Sequence, residues 1–391
     1  MLAFTAHRLV TPTETVECPV LLVDKGTIAD IAARDARPLP SGVPTVDLGD
    51  STIAPGYVDL HIHGSVGFDV MDDRADSLPS IEWFLARHGV TSYFPTTITA
   101  PMDQTVRALG RLATAIEDRA RAGPNANGRA CPIGIHLEGP FISHARRGVH
   151  PLEHLLLPTL EVFERFWQAA RGHIRIMTIA PELDGAAEVI AEASRRGVCV
   201  SLGHSDADSR AAENGIAAGA RHATHTFNAM RPLDHRRPGI LGAALTDCRL
   251  SADIIADGIH VDPSIVKLFA QAKGLAQTVL ITDATAATGM ADGHYHLGPL
   301  AVEVKDGKVT ANGKLAGSVL TMDLAVRNLA RIAGWSLPQA IAAASRNPAR
   351  VAQLKDKGSL APGADADFVV LSPAGEVRRS FIGGQEVPQN V

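Results

Sequence analysis

The chain has 391 residues, 46% of them hydrophobic and 20% charged. That composition excludes a disordered chain and is enough for one large core with a smaller one beside it. Lys and Arg number 37 against 42 Asp and Glu, a formal net charge of −5. With no dense basic run, neither nucleic acid nor a membrane surface is an expected partner.

The first residues, Met1 to Arg8, lack a basic head followed by an apolar stretch. No apolar run approaches the roughly 18 residues of a membrane span, so neither a signal peptide nor a transmembrane segment is expected. Cys18, Cys131, Cys199 and Cys248 are scattered without CxxC spacing and read as reduced thiols of a cytoplasmic protein.

In chain order, Leu21-Leu-Val-Asp-Lys-Gly26 and Thr45-Val-Asp-Leu-Gly49 predict short strands in the first fifty residues. From Ile53 onward short apolar strands alternate with amphipathic helices. Strands are expected at 56–61, 92–95, 133–137, 174–179, 198–202, 222–225, 250–255 and 279–282. Helices fall between them, for example at 80–88, 104–122, 160–171, 186–196 and 209–215, with Trp83, Phe84 and Leu85 as helix core. Eight alternations predict an α/β fold, a (β/α)8 TIM barrel. A doubly wound sheet is the alternative, and it gives no reason for reactive residues at so many strand ends. The turn and strand at 362–371 suit pairing with the N-terminal strands. Residues 1–52 and 347–391 are therefore expected to form a small β-sandwich domain, and 53–346 the catalytic barrel. A hairpin insertion is expected near 289–313, with turns at Asp306-Gly307 and Asn312-Gly313.

The chemistry is carried by Asp59-Leu-His61-Ile-His63-Gly64 and its echoes downstream. Two histidines at i and i+2 on a strand face the same way and make a pair of metal ligands. Glu138 follows the third predicted strand, His204 the fifth and Asp283 the eighth, and His225 ends the sixth. Functional side chains of such a barrel gather at these C-terminal strand ends. Any one of the 16 histidines is more often structural than a ligand; the periodic placement of the set is what argues for a site. Histidines with carboxylates suit a borderline divalent ion such as zinc or iron. Such an ion would polarise an amide carbonyl and lower the pKa of a bound water, whose proton Asp283 could take and pass to a leaving nitrogen. No lysine occurs between Lys25 and Lys267. That rules out a carbamylated-lysine bridge and a Schiff-base lysine on the first seven strands, and leaves Glu138 as the well-placed oxygen ligand.

At these residues the sequence resembles the amidohydrolase superfamily, through Pro55-Gly-Tyr-Val-Asp-Leu-His-Ile-His-Gly64 and the strand at 361–371. Within it, the chain is similar to the N-acetylglucosamine-6-phosphate deacetylase family. That narrower likeness rests on His136-Leu-Glu-Gly-Pro-Phe141, Ala180-Pro-Glu182, Gly203-His-Ser205, His225-Thr-Phe-Asn-Ala-Met230, Ala256-Asp-Gly-Ile-His-Val-Asp262, Thr282-Asp-Ala284 and Ala316-Gly-Ser-Val-Leu-Thr-Met322. The motifs come in family order and span nearly the whole chain. The resemblance implies a barrel of the metal-dependent hydrolase type that hydrolyses the acetamide of an N-acetylated amino-sugar phosphate. It implies Glu138, His204 and His225 as core metal ligands and His61 with His63 as ligands of a second position. It implies Asp283 as acid and base and His150 as the residue polarising the acetyl carbonyl. Val149, Asn228, Ala229, Asp257 and Leu315, Ala316, Gly317 and Ser318 are implied as substrate contacts, and Arg236 and His260 as phosphate contacts. The arginine of the family reaches across a dimer interface, which implies a homodimer.

On the residues alone, Arg237 is as good a phosphate contact as its neighbour, and His150 reads equally as a surface histidine. His144, His222 and His235 read as bystanders, and His294 and His296 as exposed on the hairpin. Rival functions are deacetylation of N-acetylgalactosamine 6-phosphate or an N-acyl amino acid, and a non-catalytic scaffold that kept the barrel.

Overall fold

A computed structural model describes residues 1–11, 14–36, 42–123 and 128–388. The remaining positions of the two expected domains lie outside the described residues. At its centre is a curled sheet of parallel strands: β1 (Tyr57–Ile62), β2 (Val90–Thr97), β3 (Ile135–Glu138), β4 (Ile174–Ile179), β5 (Cys199–Leu202) and β6 (His222–Ala223), paired in that order. β7 (Ala252–Ile254) and β8 (Thr278–Leu280) form a separate parallel pair. Backbone hydrogen bonds from Ala223 N to Ser251 O and Thr226 N to Asp253 O, both 3.0 Å, join β6 to the β7 segment. Asp283 N donates to His61 O at 3.0 Å and His63 N to Ala284 O at 2.8 Å, joining the chain after β8 to β1.

The strands are short, apolar and buried on both faces, as parallel strands covered by helices must be. Along β1, Val58, Leu60 and Ile62 enter the apolar core, while Asp59 and His61 take the opposite side by the two-residue period. Each fully buried Leu or Ile contributes roughly 1.5–3 kcal/mol, so a one-residue slip would forfeit this core and invert the site together.

The helices start where local chemistry ends the preceding loop. Thr159 caps Leu160–Ala169 and Asp208 caps Ser209–Ala218, each side chain accepting from a first-turn N–H. Asp262 caps Pro263–Gln277 ahead of a proline in the first turn. Ser336 and Gln339 form a reciprocal capping box on Leu337–Ala344.

The N- and C-terminal segments interleave. Thr52–Pro55 pairs with both Arg8–Val10 and Phe368–Leu371 in a six-stranded sheet. A four-stranded sheet holds Leu2–Thr5, Pro19–Asp24, Thr27–Ala33 and Thr45–Asp47. Phe4, Leu21, Val23 and Ile28 from the second sheet share one buried cluster with Leu9, Ile53, Phe368 and Phe381 from the first. Phe368 and Phe381 stack at 4.4 Å, with Phe4 edge-on to both.

Several local expectations differ from the structure. The sixth strand, expected at 222–225, ends at Ala223, because His225 takes φ +29° and leaves the extended region. The third strand runs through Glu138. Trp83 and Phe84 are half-buried and line a surface groove; Trp83 still packs against the core that buries Leu85, and Phe84 does not join it. The hairpin after β8 is a four-stranded antiparallel sheet, Gly293–Leu297, Leu300–Lys305, Lys308–Ala311 and Lys314–Leu315, with His294 and His296 exposed. The helix Arg346–Val351 packs into the larger core through Ala349 and Val351. No described helix is long and apolar enough to cross a membrane.

Candidate active site

Six buried side chains converge beyond the C-terminal ends of the parallel strands. Glu138 Oε1 lies 3.1 Å from His225 Nε2 and 3.2 Å from His204 Nε2, and the two imidazole nitrogens are 3.0 Å apart. On the other side, His63 Nε2 is 3.3 Å from Glu138 Oε2, His61 Nε2 is 3.5 Å from Oε1, and the two nitrogens are 3.1 Å apart. Glu138 thus belongs to two candidate metal triads, His61–His63–Glu138 and Glu138–His204–His225. Asp283 Oδ1 stands 3.3 Å from His63 Nε2 and 3.5 Å from His61 Nε2.

The backbone aims these groups at some cost. His204, His225 and Asp283 have φ of +47°, +29° and +49°, a left-handed conformation worth about 1–3 kcal/mol of strain per non-glycine residue. Such strain persists only where surrounding bonds over-determine it: Ser143 N donates to His204 O at 2.9 Å and Ser318 N to Asp283 O at 2.7 Å. After His63, the chain passes so close to its neighbour that a Cβ on Gly64 would lie 2.1 Å from Phe68 O. Only glycine fits there.

Ring orientation is set from behind. His63 Nδ1 donates to Thr96 O at 3.0 Å and His204 Nδ1 to Arg146 O at 3.1 Å, turning each Nε2 toward the centre. His136 donates from Nδ1 to Leu60 O and accepts at Nε2 from Thr178 Oγ1 at 2.8 Å, packing edge-on beneath His61.

The electrostatics favour a bound cation. Burial disfavours charge on His63 and His225, yet Glu138 and Asp283 overcome it, holding His63 well above the usual imidazole range and His225 at about 9. Burial likewise works against the carboxylates, but the histidines hold Glu138 well below the usual range and Asp283 at about 2. The anionic groups therefore draw positive charge into a buried cleft. Imidazole nitrogens with carboxylate oxygens are the donor set of a divalent metal, so the residues fit one.

His150 is 2% exposed, where sequence alone left a surface histidine equally open. Burial and the neighbouring His204 hold it well below the usual imidazole range, so it is neutral. Thr99 N donates to its Nδ1 at 3.4 Å and Thr99 Oγ1 lies 2.8 Å away. With Nδ1 accepting, the proton sits on Nε2, which faces the cleft 3.7 Å from Glu138 Oε2.

A cavity of about 240 Å³ opens above the centre. Val149, His150, Asn228, Ala229, His260, Leu315, Ala316 and Gly317 line it together with His63, Glu138, His204, His225 and Asp283. Asp257 supports His260, its Oδ2 2.7 Å from Nδ1, and His260 Nε2 is buried without a partner. Ser318 lies behind the wall, donating to Thr282 O at 2.6 Å. Arg236 is not brought to the cavity: it and Arg237 are exposed on the loop after β6, with both backbone N–H groups donating to Asp234 Oδ1 at 2.9 Å. Sequence reasoning missed Ile98, Leu297 and Lys314, which also line the cavity. Lys314 follows the Asn312-Gly313 turn, and that turn was its only sequence signal.

The structure is thus an α/β protein whose parallel strands carry a buried His/Glu centre able to hold a divalent metal. The amidohydrolase family profile matches residues 52–387, and the chain belongs to that family. It is 40% identical over 360 residues to the N-acetylglucosamine-6-phosphate deacetylase of Bos taurus, covering 88% of this chain and 85% of the relative. It is 38% identical over 384 residues to the N-acetylgalactosamine-6-phosphate deacetylase of Escherichia coli O157:H7, covering 97% of both. Among solved structures, a mutant N-acetyl-D-glucosamine-6-phosphate deacetylase from Mycobacterium smegmatis in complex with N-acetyl-D-glucosamine-6-phosphate superposes with a TM-score of 0.91. It shares 35% identity and covers 99% of both chains.

Proposed function

We propose that this chain is an N-acetylglucosamine-6-phosphate deacetylase, hydrolysing the acetamide to glucosamine 6-phosphate and acetate. The observation that carries the reading is Glu138 shared between two histidine pairs, with Asp283 and His150 both lining the cavity. The chain's full-length likeness to relatives of that name supports it.

Glu138, His204 and His225 would hold one divalent ion, zinc or iron, and His61 and His63 with Glu138 a second. The ion supplies Lewis acidity and lowers the pKa of water. Asp283, held ionised by the surrounding histidines, accepts a proton from the attacking water at Oδ1 and returns it to the leaving amine. His150, neutral and protonated at Nε2, donates to the carbonyl oxygen as negative charge develops there. Asn228, Ala229 and the segment from Leu315 to Gly317 enclose the sugar, and the unpartnered His260 Nε2 is placed to meet its phosphate.

The strand links on both sides of the β7–β8 pair support a closed (β/α)8 barrel, and the shared aromatic cluster supports a β-sandwich built from the N- and C-terminal strands. Exposed Arg236, with Leu152, Leu157 and Leu233 also exposed, supports a homodimer in which the arginine serves the neighbouring subunit's cavity. Four free thiols support a reducing, cytoplasmic setting.

The test is acetate release from N-acetylglucosamine 6-phosphate, its galactosamine epimer and unphosphorylated N-acetylglucosamine, with and without chelator. Chelator-sensitive turnover of the glucosamine phosphate in clear preference to the others supports the reading. Preference for the epimer would reassign the substrate, as the 38% identical relative makes a specific alternative.

A further inference from the structure

The four candidate histidine ligands are oriented in two different ways. His63 and His204 are fixed through Nδ1 by backbone carbonyls. His61 and His225 are not: in both, Nδ1 is buried without a partner. Their hold is on the backbone. Asp59 Oδ1 accepts from His61 N at 3.2 Å, and Asp253 Oδ1 accepts a short hydrogen bond from His225 N.

Of the two, the hold on His225 carries more. β6 has only two residues, the chain turns left-handed at His225, and Phe227 and Ala229 follow with φ of +81° and +51°. Asp253, 1% exposed on β7, fastens this irregular stretch at three points. Oδ1 takes His225 N, the backbone oxygen takes Thr226 N at 3.0 Å, and Oδ2 accepts from His222 Nε2 at 2.9 Å. His222 is itself 1% exposed and bonds through Nε2 to this carboxylate. Its position therefore serves to orient Asp253, where sequence reading had made it a bystander.

We propose that Asp253, oriented by His222, is the positioning residue of the metal centre. It holds the strained backbone of His225 so that Nε2 meets Glu138 and His204. The proposal rests on the metal-dependent reading above. With no bond on the ring's far nitrogen, the backbone hold is what aims the imidazole, and losing it lets the chain relax toward the extended region and withdraws the ligand.

The experiment is a divalent-metal titration of metal-free protein by calorimetry, with zinc as probe, and metal analysis after dialysis. Wild type, Asp253→Ala, Asp253→Asn and His222→Leu are compared, and the thermal stability of each metal-free protein is measured alongside. Asp253→Asn keeps an acceptor at Oδ1 for His225 N and is expected to stay within a few-fold of wild-type affinity. Asp253→Ala is expected to weaken zinc about 10–100-fold and to lose the ion held by Glu138, His204 and His225 on dialysis. A folded Asp253→Ala that is less thermostable but binds zinc as tightly as wild type would make the residue merely structural and overturn the proposal. Should Asp253→Ala not fold, His222→Leu decides: several-fold weaker zinc supports the proposal, and wild-type affinity overturns it. A wild type that takes up no divalent ion would overturn the metal-dependent reading itself, and this inference with it.

Discussion

Thr99 holds His150 through the imidazole Nδ1, its hydroxyl at 2.8 Å and its backbone N–H at 3.4 Å. This pairing chooses the tautomer that presents Nε2–H to the cleft. His150→Ala is therefore expected to lower kcat about 10²-fold or more with little change in KM, as for loss of one oxyanion donor. Thr99→Val keeps the imidazole but loosens its tautomer, so a smaller loss in kcat is expected. Steady-state kinetics on both variants checks this; an unchanged kcat in His150→Ala would remove the residue from the mechanism.

The acid and base role proposed for Asp283 rests on its carboxylate facing only His61 and His63, whereas Glu138 lies within 3.5 Å of four histidines. Asp283→Asn is expected to lower kcat by about 10²–10⁴-fold, while the protein still binds N-acetylglucosamine 6-phosphate. Ligand binding by calorimetry together with single-turnover rates separates the two effects.

Because Glu138 reaches both histidine pairs, its loss should disturb both at once. Glu138→Ala is expected to reduce bound metal more than His63→Ala and to abolish turnover. Metal analysis of the purified variants decides: equal metal content in the two would mean that Glu138 does not bridge.

His260 Nε2 and Arg236 differ in where they sit, one in the cavity wall and one on an exposed loop. His260→Ala should raise KM for the phosphorylated sugar and spare an unphosphorylated amide. Arg236→Ala should do the same, with Arg237→Ala close to wild type. Equal losses on both kinds of substrate would count against a phosphate pocket.

Glu82 offers a test outside the site. Burial pushes its carboxyl up to about 7 against the pull of Arg129 and Tyr93. A folded pKa above the unfolded one means the native state binds the extra proton, so stability falls as pH rises from about 4.5 to about 7. The loss is on the order of 3 kcal/mol at most. Relative to wild type, Glu82→Gln should therefore gain thermal stability between pH 5 and pH 8; a flat difference across that range would refute the shift.

Much of the site was legible in the sequence because strand periodicity is local. His61 and His63 share a face whatever surrounds them, and Glu138, His204, His225 and Asp283 each close a short apolar run. The supporting groups carried no such signal. Asp253 and Thr99 lie in ordinary strand or loop sequence, and their partners are 28 and 51 residues away. His222 looked idle for the same reason.

The amino-acid sequence by itself determined the alternation of strands and helices, the candidate ligand set with Glu138 as its carboxylate, and the absence of a bridging lysine. These depend on residue type and spacing over a few positions. Tertiary structure alone decided which tautomer His150 presents and why glycine must follow His63. It also decided that Arg236 stands outside its own cavity while Lys314 stands inside. Those outcomes depend on distances between segments far apart in the chain, set only once the strands pair and the core is packed.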